Sequence, residues 1–307
     1  MIRQQAFTGD GRFLKGGLHC HTTRSDGQGT PEEVIKMHVE HGYDFLALTD
    51  HRFYNLKNFT DLPITIIPGM EIDSDIPDGM ECHCFHEVCL GDPATTGFKQ
   101  DERVESVDSM NQFEFQPQLD AIHAKNNMTF YCHPEWSATP AQEFMHLKGN
   151  FAMEIWNSGC VVEDHQDMNA AYWDELLYDG QKIWGVATDD GHKMYQHCLG
   201  WVMVNAENNV PAILKALKEG AFYASAGPEI FDFTFEGDTV SVKCSDAKCI
   251  EFYSRGVPTR LVEAPEDGVI TEGSWFVPKR AKYVRACVID KDGRRAWTNP
   301  IFLEGVR

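Results

Sequence analysis

Residues 18–27 read Leu18-His19-Cys20-His21-Thr22-Thr23-Arg24-Ser25-Asp26-Gly27, and this stretch decides how the chain is interpreted. We predict that it begins as a β-strand, in which successive side chains point to opposite faces. His19 and His21 then share one face, and the Asp26 carboxylate follows closely. Two imidazoles and a carboxylate suit a transition-metal ion, so the stretch predicts one corner of a metal site.

Similar side chains follow four further predicted strands. The segments concerned are Asp50-His51, Gly69-Met70-Glu71, His133-Pro134 and Thr188-Asp189-Asp190-Gly191-His192. Active sites of barrels and open parallel sheets lie at the carboxyl ends of their strands. We therefore expect these imidazoles and carboxylates to meet at one edge of the fold.

Short apolar runs alternate with helical stretches up to about residue 227, which favours an α/β fold with parallel strands and outer helices. The predicted strands are Gly17–Cys20, Phe45–Thr49, Thr65–Pro68, Thr129–Cys132, Ala152–Trp156 and Ile183–Ala187. The predicted helices are Pro31–His41, Met110–Asn126, Asp164–Tyr178 and Val210–Glu219. Thr30 and Glu33 have the spacing of a capping box at the start of the first helix.

The pattern changes at Ser225-Ala226-Gly227-Pro228, after which helical periodicity is scarce. Short predicted strands separated by turns follow, and they indicate a small antiparallel β-sandwich. We therefore predict two domains, covering residues 1–227 and 228–307.

Composition excludes several classes of protein. The chain of 307 residues carries a formal net charge of −20, which disfavours binding to a nucleic-acid polymer. No apolar run approaches the roughly 18 residues of a membrane helix, and residues 1–7 lack the apolar core of a signal peptide. The ten cysteines form no Cys-x-x-Cys pair. We expect a cytoplasmic protein with reduced thiols and no membrane association.

The ordered motifs resemble those of the PHP (polymerase and histidinol phosphatase) superfamily of metal-dependent phosphoesterases. The resemblance covers about residues 16–227 and rests on 18–22, 25–27, 46–51, 69–71, 132–134 and 190–192. It implies a distorted (β/α)7 TIM-like barrel that holds two or three divalent ions, usually zinc, manganese or iron. The tail, with Gly227-Pro228 and residues 292–301, is similar to the two-domain branch that includes carbaryl-hydrolase-like proteins.

The resemblance also implies roles for individual residues. His19 and His21 would bind the first metal, and Glu71 would bridge it to the second. The remaining expected ligands are Asp26, His51, His133 and His192, together with Asp190 or Asp189, whose spacings both fit. A further family histidine is either His83 or His86, of which His86 lies closer to the apolar run that follows.

Such a cluster predicts hydrolysis by a metal-bound hydroxide, because paired cations activate water and clamp the reacting oxygens. His192 or His86 would protonate the leaving group, and Arg24 and Arg52 are candidate phosphate clamps. We expect a phosphoesterase acting on a small phosphate ester. A carbamate, ester or amide hydrolase at the same site, and a non-catalytic metal-binding module, are the alternatives. The C-terminal part is also a candidate surface for forming a homo-oligomer.

Overall fold

The computed structural model describes residues 1–9, 12–75 and 84–305, which form a mixed α/β fold with several sheets. His83, one of the two histidine alternatives, lies outside these residues. Within them, no helix is long and apolar enough to cross a membrane. The cysteines of the described residues are free thiols.

Helices flank the sheets in the first two thirds of the chain. They are α1 (Pro31–Glu40), α2 (Gln112–Ala124), α3 (Ala141–Phe144), α4 (Ser158–Asp164), α5 (Asn169–Asp179) and α6 (Val210–Glu219), with short 3-10 helices at Gln5–Phe7 and Met194–Gln196. The predicted capping box of α1 is confirmed. The Thr30 hydroxyl accepts from the Glu33 N–H at 3.2 Å, and the Glu33 carboxylate accepts from the Thr30 N–H at 2.9 Å.

The predicted helix Asp164–Tyr178 is wrong at its start. Helix α4 ends at Asp164, and the next residue, His165, has a left-handed backbone conformation with φ of 60°. Helix α5 begins four residues later, at Asn169. A left-handed residue cannot continue a right-handed helix, so the chain changes direction between the two elements.

Strands occur along the whole chain. Those of the first part are β1 (Ile2–Arg3), β2 (Phe13–Gly17), β3 (Phe45–Ala47), β4 (Thr65–Ile67), β5 (Gly69–Asp75), β6 (Cys84–Gly91), β7 (Asn127–Tyr131), β8 (Asn150–Asn157), β9 (Trp184–Thr188), β10 (Trp201–Asn205) and β11 (Phe222–Ser225). Those of the last part are β12 (Ile230–Glu236), β13 (Thr239–Ala247), β14 (Cys249–Tyr253), β15 (Pro258–Glu263), β16 (Ile270–Phe276), β17 (Tyr283–Ile289), β18 (Arg295–Thr298) and β19 (Ile301–Phe302).

The described strands form three sheets, and no closed barrel is detected among them. One sheet has the order β5-β6-β7-β8-β9, with parallel pairing from β7 to β9. A ten-stranded sheet has the order β15-β14-β17-β18-β11-β10-β2-β3-β4, with β19 on β17, and β2, β3 and β4 are parallel. The third sheet, β1-β12-β13-β16, is antiparallel.

Two isolated bridges connect the five-stranded and ten-stranded sheets near the carboxyl ends of their parallel strands. Cys20, beyond β2, pairs with Gly191, beyond β9. His51, beyond β3, pairs with Glu71 in β5. Both bridges join residues next to or within the predicted ligand set, so the edges of the two sheets meet where the sequence places the site.

The ten-stranded sheet runs across residue 227. Strand β11 pairs with β18, in the register of Tyr223 opposite Thr298. One apolar core likewise contains Trp173 and Ile155 from the first part together with Tyr283 and Trp297 from the last. The two parts of the chain therefore share both a sheet and a core, and the division at residue 227 stays a prediction.

Candidate metal centre

Four buried ligand atoms converge at the edge where the sheets meet. His19 Nε2 lies 3.1 Å from Glu71 Oε2 and 3.2 Å from Asp190 Oδ1. His21 Nε2 lies 3.1 Å from Glu71 Oε2 and 3.0 Å from Asp190 Oδ1. The two histidine Nε2 atoms are 3.2 Å apart. We call these four side chains the first ligand group.

The first ligand group fits a tetrahedral transition-metal ion. Ligand atoms about 2.0–2.1 Å from a tetrahedral ion lie about 3.3 Å from one another, close to the observed separations. Glu71 Oε2 and Asp190 Oδ1 are buried and accept no hydrogen bond from the described residues. Two such oxygens next to two imidazole nitrogens require positive charge, which a divalent ion supplies.

A second ligand group shares the Glu71 carboxylate. His86 Nδ1 lies 2.8 Å and His133 Nε2 lies 3.3 Å from Glu71 Oε1. His51 Nδ1 lies 3.2 Å from the other oxygen, Glu71 Oε2. The position of this carboxylate between two sets of imidazoles suits a ligand that bridges two cations.

A third ligand group surrounds Asp26 at the more exposed side of the cluster. Asp26 Oδ2 lies 3.4 Å from His192 Nε2 and 3.6 Å from His51 Nε2. Asp26 Oδ1 lies 3.5 Å from His21 Nδ1. Two imidazole rings thus face Asp26 with one nitrogen and an adjacent ligand group with the other.

The pKa shifts within the cluster indicate that its carboxylates are stabilised by nearby positive charge. Burial opposes the ionised form of Glu71, but His51, His19 and His86 offset it and hold the pKa of this carboxyl well below its usual value. Burial likewise opposes protonation of His21, yet the Asp190 and Glu71 carboxylates raise its pKa to about 10. Without other cations, the carboxylates therefore draw protons onto the imidazoles, in the place where metal ions would supply charge.

The backbone explains why His19 and His21 share a face. Both residues lie just beyond β2, whereas we predicted a strand over Gly17–Cys20. The His19 carbonyl accepts from the Asp190 N–H at 3.0 Å, and the His21 N–H donates to the Gly191 carbonyl at 3.1 Å. These bonds continue the strand-like ladder past the end of β2, so side chains still alternate.

Left-handed backbone conformations occur at two of the candidate ligands. His133 has φ of 24° and Asp190 has φ of 49°. Such conformations are uncommon in residues other than glycine and cluster at functional sites, where surrounding structure over-determines them. Gly27 serves the same region, because a Cβ there would lie 2.5 Å from the His21 carbonyl.

Glu154 orients His19 from behind. Its Oε1 lies 2.7 Å from His19 Nδ1 and accepts from the Thr188 hydroxyl at 2.6 Å. Its Oε2 accepts from the His133 N–H and from Asn157 Nδ2, both at 2.9 Å. Metal-binding histidines commonly donate their other nitrogen to a carboxylate in this way. Glu154 is not among the residues that the sequence analysis predicts as ligands.

The structure brings together His19, His21, Asp26, His51, Glu71, His86, His133, Asp190 and His192, and leaves Asp189 outside these groups. Asp189 instead accepts hydrogen bonds from the backbone N–H groups of residues 198–200 and lies near His38 and His197. Of the two neighbouring aspartates that the sequence left open, Asp190 is therefore the one at the cluster.

The two arginines that we predicted as phosphate clamps are engaged elsewhere. Arg24 pairs with Asp101. Arg52 holds Asp73 through Nε, at 2.8 and 3.0 Å, and through a terminal nitrogen at 2.8 Å. Among the described residues, those that line the cavity over the cluster include neither Arg24 nor Arg52.

A cavity of about 340 Å³ opens over the ligand groups. Beyond the ligands, its lining includes Trp136, Glu163, Lys193 and Gln196. Lys193 Nζ lies 2.8 Å from Glu163 Oε2. Sequence reasoning missed Trp136, Lys193 and Gln196 as parts of the site, since nothing in their local pattern marks them as lining a cavity.

A family model described as the PHP domain matches residues 17–174 of the chain. The chain belongs to the PHP family. This membership supports a metal-dependent hydrolase at the level of the family. A search of curated proteins finds no match.

Solved structures similar to this PHP chain include a two-domain protein from Bacteroides vulgatus ATCC 8482 that is described as containing a predicted PHP-like metal-dependent phosphoesterase. It is 15% identical, with a TM-score of 0.52 over 98% of this chain and 97% of that one. An amidohydrolase from Chromobacterium violaceum is 16% identical, with a TM-score of 0.40 over 67% of this chain and 96% of that one. The first likeness supports the fold alone.

Proposed function

We propose that this protein is a phosphoesterase that hydrolyses a small phosphate ester at the three ligand groups, with two or three divalent zinc, manganese or iron ions. The observation that carries the proposal is the convergence of His19, His21, Glu71 and Asp190 on one point, with Glu71 continuing into a second group. The cavity above them is of a size for a small substrate.

The residues present would hold the ions through the three groups described above. Divalent ions in such a setting act as Lewis acids and lower the pKa of water, and their charge offsets that of a phosphate. In the reaction, water adds to phosphorus and the P–O bond to the alcohol breaks, so the leaving oxygen needs a proton.

His192 is placed to supply that proton. Its Nδ1 lies 2.9 Å from the Asp190 carbonyl, which only accepts, so Nδ1 carries a hydrogen and donates it. Its Nε2 faces Asp26 at the lining of the cavity, and when two ions occupy the first and second ligand groups this nitrogen binds no metal and is free to donate a proton to the leaving oxygen. His86, tied to Glu71 at 2.8 Å, is less available for this role.

One observation favours a second candidate function, hydrolysis of a carbamate, ester or amide. Arg24 and Arg52 are paired with Asp101 and Asp73, and Lys193 is paired with Glu163. The positive charge that balances a phosphate would therefore come mainly from ions bound at the ligand groups. A neutral substrate does not need such balancing charge.

We also propose that the bridges Cys20–Gly191 and His51–Glu71 complete the distorted (β/α)7 barrel expected of the family, and that the strands after residue 227 form a β-sandwich. The bridges support the first proposal because they connect the two sheets on both sides of the ligand set.

A substrate panel tests the proposed function. The protein is loaded with zinc, manganese or iron and given phosphomonoesters, phosphodiesters, carbamates, carboxylic esters and amides. We expect inorganic phosphate or a phosphomonoester as product, and Glu71→Gln should lower its release by more than about 100-fold. Glu87→Gln is the matched control, since Glu87 is an equally buried carboxylate outside the ligand groups.

Release of carbamate, amine or carboxylate without any phosphorus product would replace the first candidate function with the second. Metal-loaded protein that cleaves nothing in the panel would contradict both and favour a non-catalytic metal-binding module.

A further inference from the structure

A separate histidine–aspartate cluster lies behind the candidate metal centre. It consists of His38 in α1, Asp189 directly after β9, and His197 after the 3-10 helix Met194–Gln196. All three side chains are buried, and their nearest ligand atoms lie within 4.8 Å of one another. The family resemblance and the ligand groups described above do not use this combination of residues.

His38 presents a bare nitrogen to this cluster. Its Nδ1 lies 2.8 Å from the Val34 carbonyl, which only accepts, so Nδ1 carries a hydrogen and donates it. Its Nε2 has no hydrogen-bond partner among the described residues and faces Asp189 Oδ2 at 3.7 Å. That separation is too long for a direct hydrogen bond, so a fully buried nitrogen and a carboxylate oxygen face each other across a gap.

His197 adds two more unpartnered nitrogens. Neither Nδ1 nor Nε2 of this side chain, which is 4% exposed, has a hydrogen-bond partner within the described parts of the chain. Burial, followed by the nearby His38, lowers the pKa of His197 to about 4. The ring is therefore neutral at neutral pH, and one of its nitrogens offers a lone pair. Leaving such groups buried without a partner destabilises the folded state.

Asp189 is held in place by the loop that contains His197. Its Oδ1 accepts from the Leu199 and Gly200 N–H groups at 2.9 and 2.7 Å, and its Oδ2 accepts from the Cys198 N–H at 2.6 Å. These donors fix the orientation of the carboxylate. Oδ2 accepts only one of these bonds, so it keeps a further lone pair for an ion on the side of His38.

We propose that His38, Asp189 and His197 bind an additional divalent transition-metal ion, distinct from the ions of the candidate metal centre. Two imidazoles and one carboxylate are a zinc-type donor set, whereas calcium and magnesium prefer oxygen ligands throughout. The Nδ1–H bond of His38 to a backbone carbonyl is the arrangement that orients metal-binding histidines.

The additional ion has a structural role. It links helix α1 to residues 189–200, which also carry Asp190 and His192 of the candidate metal centre. Because its ligands are 0–4% exposed, it exchanges more slowly with a chelator than ions beneath the open cavity do.

Metal content of variants tests this proposal. Wild-type protein, His38→Gln, His197→Gln and His41→Gln are saturated with Zn²⁺ alone, freed of excess metal and analysed for zinc per chain. His41 is the matched control, because its Nδ1 also lies 2.8 Å from a carbonyl one helical turn back, but its side chain is exposed. We expect the first two variants to lose one zinc per chain and His41→Gln to match the wild type. Equal zinc content in all four proteins would overturn the proposal.

Anomalous diffraction from zinc-loaded wild-type crystals gives a second measurement that depends on no variant. We expect a zinc peak between His38 Nε2 and Asp189 Oδ2. A water without anomalous signal at this position, in crystals whose candidate metal centre is loaded, would overturn the proposal. Neither measurement depends on which substrate the protein hydrolyses, so its outcome is independent of the proposed function.

Discussion

Glu154 determines which nitrogen of His19 is free to bind metal. Its carboxylate accepts from His19 Nδ1 at 2.7 Å, so Nε2 faces Glu71 and Asp190 and is the nitrogen that a metal ion would meet. Three further donors, from Thr188, His133 and Asn157, hold the carboxylate in that position. Such carboxylates also increase the basicity of the imidazole that they contact.

We predict that Glu154→Gln weakens metal binding by about 10- to 100-fold, because the amide accepts a weaker hydrogen bond from His19 than the carboxylate does. Titration of chelator-treated protein with zinc against a competing dye measures the change. Glu87→Gln, which replaces another fully buried carboxylate, should leave the affinity within about threefold of the wild type. Equal affinities for both variants would show that Glu154 does not tune the site.

The positions of the candidate ligands differed in how well the sequence predicted them. His19, His21, Glu71 and His133 directly follow or belong to apolar strand segments, and such positions can be recognised without a structure. The choice between Asp189 and Asp190 could not be made, since it depends on the left-handed φ of 49° at Asp190. This conformation sends the two neighbouring carboxylates into different surroundings.

Among the elements, strand β6 shows how one strand serves two environments. His86 points to the ligand groups, while the next residue, Glu87, points to the opposite face and accepts from Asn150 Nδ2 at 2.7 Å. Both faces of β6 are buried. The other oxygen of Glu87 has no partner among the described residues, and burial raises the pKa of this carboxyl to about 8.

This pKa makes stability depend on pH in a defined direction. Below about pH 4 the carboxyl is protonated in both states, since an unfolded glutamate has a pKa of about 4.3. Between that value and about 8 the unfolded state loses its proton while the folded state keeps it. Rising pH therefore favours unfolding across this window, by up to about 1.4 kcal/mol per pH unit.

We predict that Glu87→Gln removes this dependence, because glutamine does not titrate and its amide oxygen can still accept from Asn150. Relative to the wild type, the variant should gain about 2–4 kcal/mol of unfolding free energy between pH 5 and pH 8. Urea unfolding at several pH values measures the gain. A stability difference that stays constant with pH would contradict the assigned pKa.

The ends of helices α1 and α6 were predicted more accurately than the end of strand β2. The capping box at Thr30 and Glu33 and the glycine after α6 are local signals, and the structure confirms both helices within one residue. Strand β2 ends at Gly17, three residues before the predicted end at Cys20. The difference arises because the ladder beyond Gly17 is made by residues from distant segments, such as Asp190 and Gly191.

At the scale of the whole molecule, long-range pairing is what the sequence could not reveal. Several short strands after residue 227 were correctly expected, but their partners were not. Strand β18 pairs with β11, and β1 at the beginning of the chain pairs with β12. The sequence of a strand shows which of its faces is buried but carries little information about which distant strand it joins.

A buried ion pair connects the two parts of the chain. Arg285 in β17 is 1% exposed, and its Nε donates to Asp174 Oδ1 of α5 at 2.9 Å. The Tyr283 hydroxyl donates to the same oxygen at 3.0 Å. Arg285 also lies 3.8 Å from the ring centroid of Tyr253. This guanidinium therefore depends on Asp174 for its countercharge inside the shared core.

We predict that Asp174→Asn lowers the free energy of unfolding by about 3–5 kcal/mol, because it leaves a desolvated guanidinium without its carboxylate. Asp167→Asn is the matched control. Asp167 also pairs with an arginine of the last part, Arg295, at 3.3 Å, but both side chains are substantially exposed, so its loss should cost less than about 1 kcal/mol. Chemical denaturation of both variants, followed by circular dichroism, measures the difference. If the two variants were equally stable, the contact between Asp174 and Arg285 would contribute no more than a surface pair, and the shared apolar core would be what holds the two parts of the chain together.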